Sequence, residues 1–357
     1  MNRKYNFSAG PATLPLPVLE EAQQQLLNYK DAGMSVLEMS HRSKDFTTIL
    51  QETKTALREV VGIPDNYEVL FLTGGASTQF AMLPMNFLKN TAGYVNTGSW
   101  SKKAIKEAKL FGNVNVPASS EEQNFNHIPQ NITLPEDVDY NHITSNNTIF
   151  GTQWSQFPQR GSAPLFVDMS SDILSRKFDV ENFDVVYAGA QKNAGPAGVT
   201  ILIMRKDLIE KTNTSLPSML QYKIHADKDS CYNTPPVFQI YLVGLIAKWI
   251  SAEGGIEEIE KRNIQKGKLL YETMDSLSDF YKGTAQQDSR SLMNVTFRLP
   301  SEELEKDFIQ LAESKNFSGL KGHRSVGGVR VSMYNAMPLE AIEKLTEFMK
   351  EFAQKNS

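Results

Sequence analysis

Short apolar runs alternate with longer segments of helical periodicity over most of the chain. Apolar runs bounded by turn residues are typical of buried strands, and apolar positions three and four residues apart are typical of helices. The alternation predicts an α/β fold with a mostly parallel sheet that is covered on both faces. The predicted elements are strands at 67–72, 93–96, 165–168, 184–188 and 199–204, and helices at 77–88 and 100–111.

The pattern changes after Gly254-Gly255. The predicted elements beyond this break are a charged helix at 256–277, strands at 293–299 and 329–333, and an amphipathic helix from Leu339. We therefore predict a large α/β domain at residues 1–255 and a smaller α+β C-terminal domain at residues 256–357. The assignment of residues 1–15 to the large domain leaves open that this first segment packs on the small domain.

Composition narrows the class of protein. A chain of 357 residues favours two domains sharing a cleft. The net charge of -4 argues against nucleic acid as a partner. The apolar run at 240–247 is shorter than the roughly 20 residues that span a bilayer, and no apolar stretch follows Arg3-Lys4 as in a secretory signal. The short apolar run therefore predicts no membrane partner. Because the single cysteine, Cys231, cannot form an intrachain disulfide, we expect a cytoplasmic protein.

The ends of the predicted strands carry candidate chemistry, because ligands of such sheets bind beyond the carboxyl ends of the strands. The first strand runs into a turn with two glycines, Gly74-Gly75, and then a helix. Free N–H groups at a helix N-terminus suit a phosphate. A plain strand-to-helix turn with an N-cap is the alternative. No metal site is predicted.

An acid and a lysine follow later strands. Asp168 ends an apolar strand, where a carboxylate needs a positive partner such as a protonated pyridine nitrogen; the alternative is that it caps the next turn. Lys192 lies among glycines and alanines between two predicted strands. A confined lysine loses proton affinity and becomes nucleophilic, whereas the alternative is a solvated loop lysine.

Together these residues resemble the fold-type I enzymes that use pyridoxal 5′-phosphate (PLP), which have the aspartate-aminotransferase-like fold. Six motifs make the resemblance specific to the phosphoserine aminotransferase family, in class V of the aminotransferases, and they follow in order over nearly the whole chain. The motifs lie at 6–12, 40–43, 187–193, 233–236, 321–324 and 334–338.

The resemblance implies a role for each matching residue. Lys192 would bond to PLP and carry the proton between the substrate and the cofactor, while Asp168 would keep the pyridine nitrogen protonated. The other residues implied in cofactor binding are Ala76, Ser77, Trp100, Thr148 and Gln191, with Asn233 and Thr234 reaching the partner's site in a homodimer. The residues implied in substrate binding are His41, Arg42, His323, Arg324 and Arg330.

Two positions depart from the family pattern. Ser77 stands where several bacterial members have an arginine that helps to bind the substrate phosphate, and Ala9 stands where some have a serine. The first departure leaves open which cations share the phosphate.

The implied activity is amino-group transfer between L-glutamate and 3-phosphohydroxypyruvate, giving O-phospho-L-serine and 2-oxoglutarate in serine biosynthesis. The formation of phosphohydroxythreonine for vitamin B6 synthesis is open. The alternatives are another class V PLP aminotransferase with a non-phosphorylated substrate, and a non-catalytic protein that uses the PLP fold for binding or regulation.

Overall fold

A seven-stranded sheet forms the centre of the computed structural model, which describes residues 3–356. Its strands are β2 (Tyr67–Leu72), β3 (Thr91–Tyr94), β4 (Asn113–Asn115), β5 (Asn141–Thr144), β8 (Leu165–Asp168), β9 (Val185–Gly189) and β10 (Thr200–Arg205). The order across the sheet is β2-β10-β9-β8-β5-β3-β4. Only β10 runs antiparallel to its neighbours, so the predicted α/β class with a mostly parallel sheet is confirmed.

Helices cover both faces of this sheet. The helices are α1 (Leu16–Gln24), α2 (Lys44–Val61), α3 (Gly75–Phe87), α4 (Ser99–Ala108), α5 (Lys206–Ile209), α6 (Tyr222–Asp227), α7 (Val237–Ala252), α8 (Ile256–Ser276), α9 (Glu302–Ser314) and α10 (Leu339–Asn356). One apolar cluster joins α2 and α7 to one face, and a second joins α3 and α4 to the other. Burial on both faces explains why β8 and β9 read as continuous apolar runs. Among the described helices, none has the length and apolarity needed to cross a bilayer.

A separate apolar cluster lies in the C-terminal part, around a three-stranded antiparallel sheet. The remaining strands are β1 (Tyr5–Asn6), β6 (Asn146–Asn147), β7 (Thr152–Gln153), β11 (Lys282–Gly283), β12 (Asn294–Arg298), β13 (Phe317–Ser318) and β14 (Val329–Ser332). Strand β1 pairs with β13, and Phe7 is part of this cluster. Helix α8 contributes Ile259 to the large cluster and Leu270 to the small one. The division at residue 255 stays a prediction.

Several element bounds differ from the predicted ones. The strand predicted at 93–96 begins and ends two residues earlier, because the Asp139 carboxylate accepts the N–H groups that lead into it and Asn96 turns away to donate to Ala118 O. The helix predicted at 100–111 ends at Ala108, where the chain turns through exposed Leu110.

Candidate active site

The candidate site lies around Lys192. It is formed by the carboxyl ends of β8 and β9 and by the residues after β6. The Lys192 Nζ atom donates to Thr148 Oγ1 at 2.7 Å and lies 5.8 Å from the centroid of the Trp100 ring. The charge of Asp168 acts directly on this amine. The structure therefore brings together four of the residues predicted from the sequence, from four different segments of the chain.

The loop that carries Lys192 is held by its own backbone. Ala190 N–H donates to Val199 O at 3.0 Å, and Gly195 N–H donates back to Ala190 O at 2.7 Å. Gln191 folds its amide over Gly189, where a Cβ atom would lie 2.7 Å from Gln191 Oε1. The small residues around Lys192 thus permit a tight loop.

Burial sets the acidity of the Lys192 amine. Desolvation lowers the pKa of Lys192 to about 8, opposed by the negative charge of Asp168 and assisted by the positive charge of Arg330. The charge of Asp172 also favours the ammonium form. A substantial fraction of this amine is neutral near physiological pH, as a nucleophile or a base requires.

Asp168 is buried at the end of β8, with 4% of its surface exposed. Its Oδ1 accepts the Ser170 N–H at 2.9 Å, so the local turn considered as an alternative is present. Burial raises the pKa of Asp168, while the Ser170 hydrogen bonds and Lys192 lower it. Within residues 3–356 no cationic side chain forms an ion pair with it, which leaves its carboxylate available to a positive ligand atom.

The glycine turn after β2 has the geometry of an anion site. Gly74 has a φ of 87°, and a Cβ atom there would lie 1.9 Å from Thr78 Oγ1, so only glycine fits. Ala76 and the exposed Ser77 then form the first turn of α3. Their backbone N–H groups have no partners within the helix, as is usual at a helix N-terminus.

Two buried donors near Lys192 lack partners in the described chain. They are Nε1 of Trp100 and Nε of Arg330. Arg330 Nη1 lies 3.4 Å from Thr148 O, at the edge of the Lys192 site. Since buried donors are rarely left unpaired, both atoms indicate a polar ligand beside Lys192.

The loop at 322–328 places more positive charge beside Arg330. The His323 Nδ1 atom is 2.7 Å from Ser325 Oγ. Partial burial lowers the pKa of His323, as do the charges of Arg330, Arg324 and Lys103. The positive charges of Arg324 and Arg330, two other predicted substrate residues, therefore act on His323.

Four predicted site residues do not join this group within a single chain. In residues 3–356, no hydrogen bond links the side chains of His41, Arg42, Asn233 or Thr234 to Lys192, Thr148 or Arg330. Arg42 is exposed, and Asn233 donates only to Thr234 O at 3.1 Å.

The structure adds neighbours that the sequence did not suggest. Asn335 N–H donates to Asn193 Oδ1 at 2.9 Å across 142 positions, a distance along the chain that no local pattern reveals. Ser170 Oγ accepts the Gly189 N–H at 3.0 Å and so connects the ends of β8 and β9. Lys103 was also missed, although its spacing of three from Trp100 on a helix is a readable signal.

Comparison with known proteins defines the class first. The model of the family described as Aminotransferase class-V matches residues 4–345. A phosphoserine aminotransferase from Desulfatibacillum aliphaticivorans is 58% identical, over 99% of each chain.

Solved structures agree with the sequence comparison. The phosphoserine aminotransferase of Bacillus circulans subsp. alkalophilus superimposes with a TM-score of 0.97 at 52% identity, over 99% of each chain. A PLP-bound phosphoserine aminotransferase from Trichomonas vaginalis gives a TM-score of 0.93 at 38% identity, over 98% of this chain and 100% of that one.

The chain belongs to the class-V aminotransferases. Within that class its family is that of the phosphoserine aminotransferases. The family and the fold-type I architecture predicted from the sequence are confirmed.

Proposed function

We propose that this protein transfers the amino group between L-glutamate and 3-phosphohydroxypyruvate, with PLP as cofactor, and so forms O-phospho-L-serine and 2-oxoglutarate for serine biosynthesis. The single observation that carries this proposal is the Lys192 amine, partly neutral and held by Thr148 beside Asp168. The relatives at more than 50% identity are phosphoserine aminotransferases, and this supports O-phospho-L-serine as the amino-acid product.

The residues around Lys192 fit PLP. In the described chain Trp100 Nε1 has no hydrogen-bond partner, and the buried Asp168 carboxylate has no cationic partner. Trp100 would stack on the cofactor ring, Asp168 would pair with its pyridine nitrogen, and Thr148 would reach its ring hydroxyl. The residues that would hold its phosphate are Ala76, Ser77 and Gln191. When bound, the cofactor supplies an electron sink for the carbanion formed at the substrate α-carbon.

The residues of the chain itself supply the proton chemistry and the orientation. Lys192 acts as the base that takes the proton from the substrate α-carbon and as the acid that gives it up again. Its lowered pKa of about 8 suits it to both roles. Arg330 grips the α-carboxylate, since its guanidinium is half-buried beside Thr148.

We assign the distal anion of the substrate to His41, Arg42, His323 and Arg324. In the described chain no hydrogen bond links the His41 or Arg42 side chain to Lys192, and this supports a homodimer in which the partner completes the site. We also propose that Asn233 and Thr234 reach the cofactor phosphate of the partner, and that the enzyme works in the cytoplasm.

Steady-state kinetics with 3-phosphohydroxypyruvate and hydroxypyruvate as acceptors test the proposal. We expect kcat/KM to be at least about 100-fold higher for the phosphorylated acceptor, because two or more charged hydrogen bonds depend on the phosphate. Arg42→Ala and Arg324→Ala should each remove about 10- to 100-fold of this preference.

Equal rates with the two acceptors would refute the phosphorylated substrate and leave a class V aminotransferase of another specificity. A protein that shows no visible absorbance after incubation with PLP would instead favour a binding or regulatory role. A monomer with full activity in sedimentation and assay would contradict the shared site.

A further inference from the structure

A second lysine lies on the indole ring that also faces the reactive amine. The Lys103 Nζ atom is 4.1 Å from the centroid of the Trp100 ring, and Lys192 Nζ is 5.8 Å from the same point. Lys103 follows Trp100 by three positions in α4, so both side chains project from one face of the helix. The start of this helix is fixed, because the Thr97 N–H donates to Ser101 Oγ at 3.0 Å.

The charge of Lys103 has no acidic counterpart. Within residues 3–356 no carboxylate lies within ion-pair distance of it, whereas the adjacent Lys102 pairs with Glu121. Lys103 is exposed, and its charge acts on the substrate loop instead, as one of the causes that lower the pKa of His323 after burial, Arg330 and Arg324. The positive charges of Lys103, Arg324 and Arg330 thus all act on His323, and such a group of cations favours the binding of an anion.

The need for such a cation comes from the turn after β2. Ser77 is exposed in the first turn of α3 and is uncharged, so this turn offers backbone N–H groups but no cationic side chain to an anion. A phosphate monoester carries nearly two negative charges at neutral pH, so its binding gains from each additional cation.

We propose that Lys103 binds the phosphate of the substrate together with His323 and Arg324, and that it thereby helps to select phosphorylated over unphosphorylated amino acids. This inference rests on the proposed function and assigns the cation that Ser77 does not provide. The cation–π contact with Trp100 positions the Lys103 ammonium group.

The test compares Lys103→Met with the control Lys102→Met, a change of the neighbouring exposed lysine on the same helix. Single-turnover reactions of the holoenzyme with O-phospho-L-serine and with L-alanine, which has no distal anion, are followed by cofactor absorbance. We expect Lys103→Met to lose about 10- to 100-fold with O-phospho-L-serine and less than twofold with L-alanine. Lys102→Met should change neither reaction, and Lys103→Arg should restore most of the loss.

A second measurement needs no activity. In the protein without cofactor, an NMR titration should show that Lys103→Met raises the pKa of His323, since a repelling charge is removed. Added inorganic phosphate should shift the His323 resonances of the wild type at lower concentration than those of Lys103→Met. Lys102→Met should match the wild type in both titrations.

The outcomes separate the two proposals. A wild-type enzyme that reacts equally with O-phospho-L-serine and L-alanine would refute the proposed function. A wild-type enzyme with a strong preference that Lys103→Met retains would refute the role of Lys103 alone. Equal losses with both amino acids in Lys103→Met would show a structural effect and would also overturn this role.

Discussion

Opposing charges tune a single amine at the residue scale. Lys192 loses proton affinity mainly through burial, Asp168 and Asp172 restore part of it, and Arg330 lowers it again. The result is an amine whose pKa of about 8 is close to the working pH. Asp168 and Arg330 therefore shift the pKa of Lys192 in opposite directions.

This balance predicts opposite effects of two substitutions. Asp168→Asn should move the pKa of Lys192 to lower pH because an attractive charge is lost, and Arg330→Met should move it to higher pH because a repelling charge is lost. The measurement is the pH dependence of trinitrophenylation of Lys192 in the protein without cofactor, read by peptide mass spectrometry. Exposed Lys268 serves as the internal reference. Shifts in the same direction for both variants would contradict this account.

The sequence reveals site residues to the extent that local context exposes them. Asp168 and Lys192 are visible because each follows a buried strand, and the glycines and alanines near Lys192 imply confinement. Ser170 is invisible, because an accepting hydroxyl in a run of serines has no pattern of its own. Asn335 and Asn193 lie in the motifs at 334–338 and 187–193, but their hydrogen bond is invisible because the two residues are distant in sequence.

At the scale of elements, the loop at 322–328 is fastened to the small sheet and to α9. Glu305, with 6% of its surface exposed, pairs with Arg298 and accepts the Gly328 N–H at 3.2 Å. Arg298 Nη1 donates to Val326 O at 3.2 Å. A Cβ atom on Gly322 would lie 1.9 Å from Gly327 O, so the loop closes on itself only with glycine there.

The anchoring of this loop by Glu305 predicts a binding defect in a variant that changes none of the predicted substrate residues. Glu305→Ala should raise KM for 3-phosphohydroxypyruvate by about 3- to 10-fold with kcat within twofold, because the loop loses two anchors worth about 1 kcal/mol each. Glu302→Ala, an exposed change in the same helix, is the control. Hydrogen exchange should be faster at 322–328 in Glu305→Ala alone. Unchanged hydrogen exchange and unchanged KM in Glu305→Ala would contradict the anchoring of the loop by Glu305.

The elements themselves were predictable where packing and pattern agree. Strand β8 was placed with its observed bounds, because all of its residues are buried and three of the four are apolar. Strand β5 was missed, since its buried residues include Asn141, His142 and Thr144. The His142 Nε2 atom lies 2.8 Å from the Tyr187 hydroxyl, a contact between strands that single-sequence patterns cannot show.

At the scale of the whole molecule, one buried lysine links α8 to the turn that faces the Lys192 loop. Lys266 is 1% exposed and donates to Met333 O at 3.1 Å, Tyr334 O at 2.8 Å and Met337 O at 3.1 Å. Asn335, within this turn, bonds to the Lys192 loop through Asn193.

We expect Lys266→Met to lower the free energy of unfolding by about 2–4 kcal/mol, because three buried carbonyls lose their donor. Lys268→Met, an exposed change two positions away, should cost less than about 0.5 kcal/mol. Urea unfolding at fixed cofactor concentration measures both. Equal costs for the two variants would contradict the role of the buried amine.

The pH dependence of this cost has a definite sign. Burial lowers the pKa of Lys266 to about 7 from 10.5, so between these values the unfolded chain binds more protons than the folded one. Wild-type stability therefore gains as pH rises through this window, whereas the methionine variant lacks this gain. The difference between wild type and Lys266→Met should be larger at the top of the window than at the bottom.

The whole-molecule assignment was available from six short motifs, because their order along the chain is specific to the family. The shared dimer site stays a proposal. The motif at 233–236 predicted an intersubunit role through the resemblance, and within the described chain the Asn233 side chain donates to Thr234 O rather than to the Lys192 site.

The early segment of the chain forms one wall of the Lys192 site. The Ala12 N–H donates to Gln191 O at 2.9 Å, the Tyr334 hydroxyl donates to Ala9 O at 2.7 Å, and a Cβ atom on Gly10 would lie 3.5 Å from Lys192 Cγ. Affinity handles or fusion partners for purification therefore belong after α10, whose last turn is exposed. Trimming the leading dozen residues to help crystallisation would remove the Ala9 and Ala12 contacts and expose the Lys192 loop to bulk solvent.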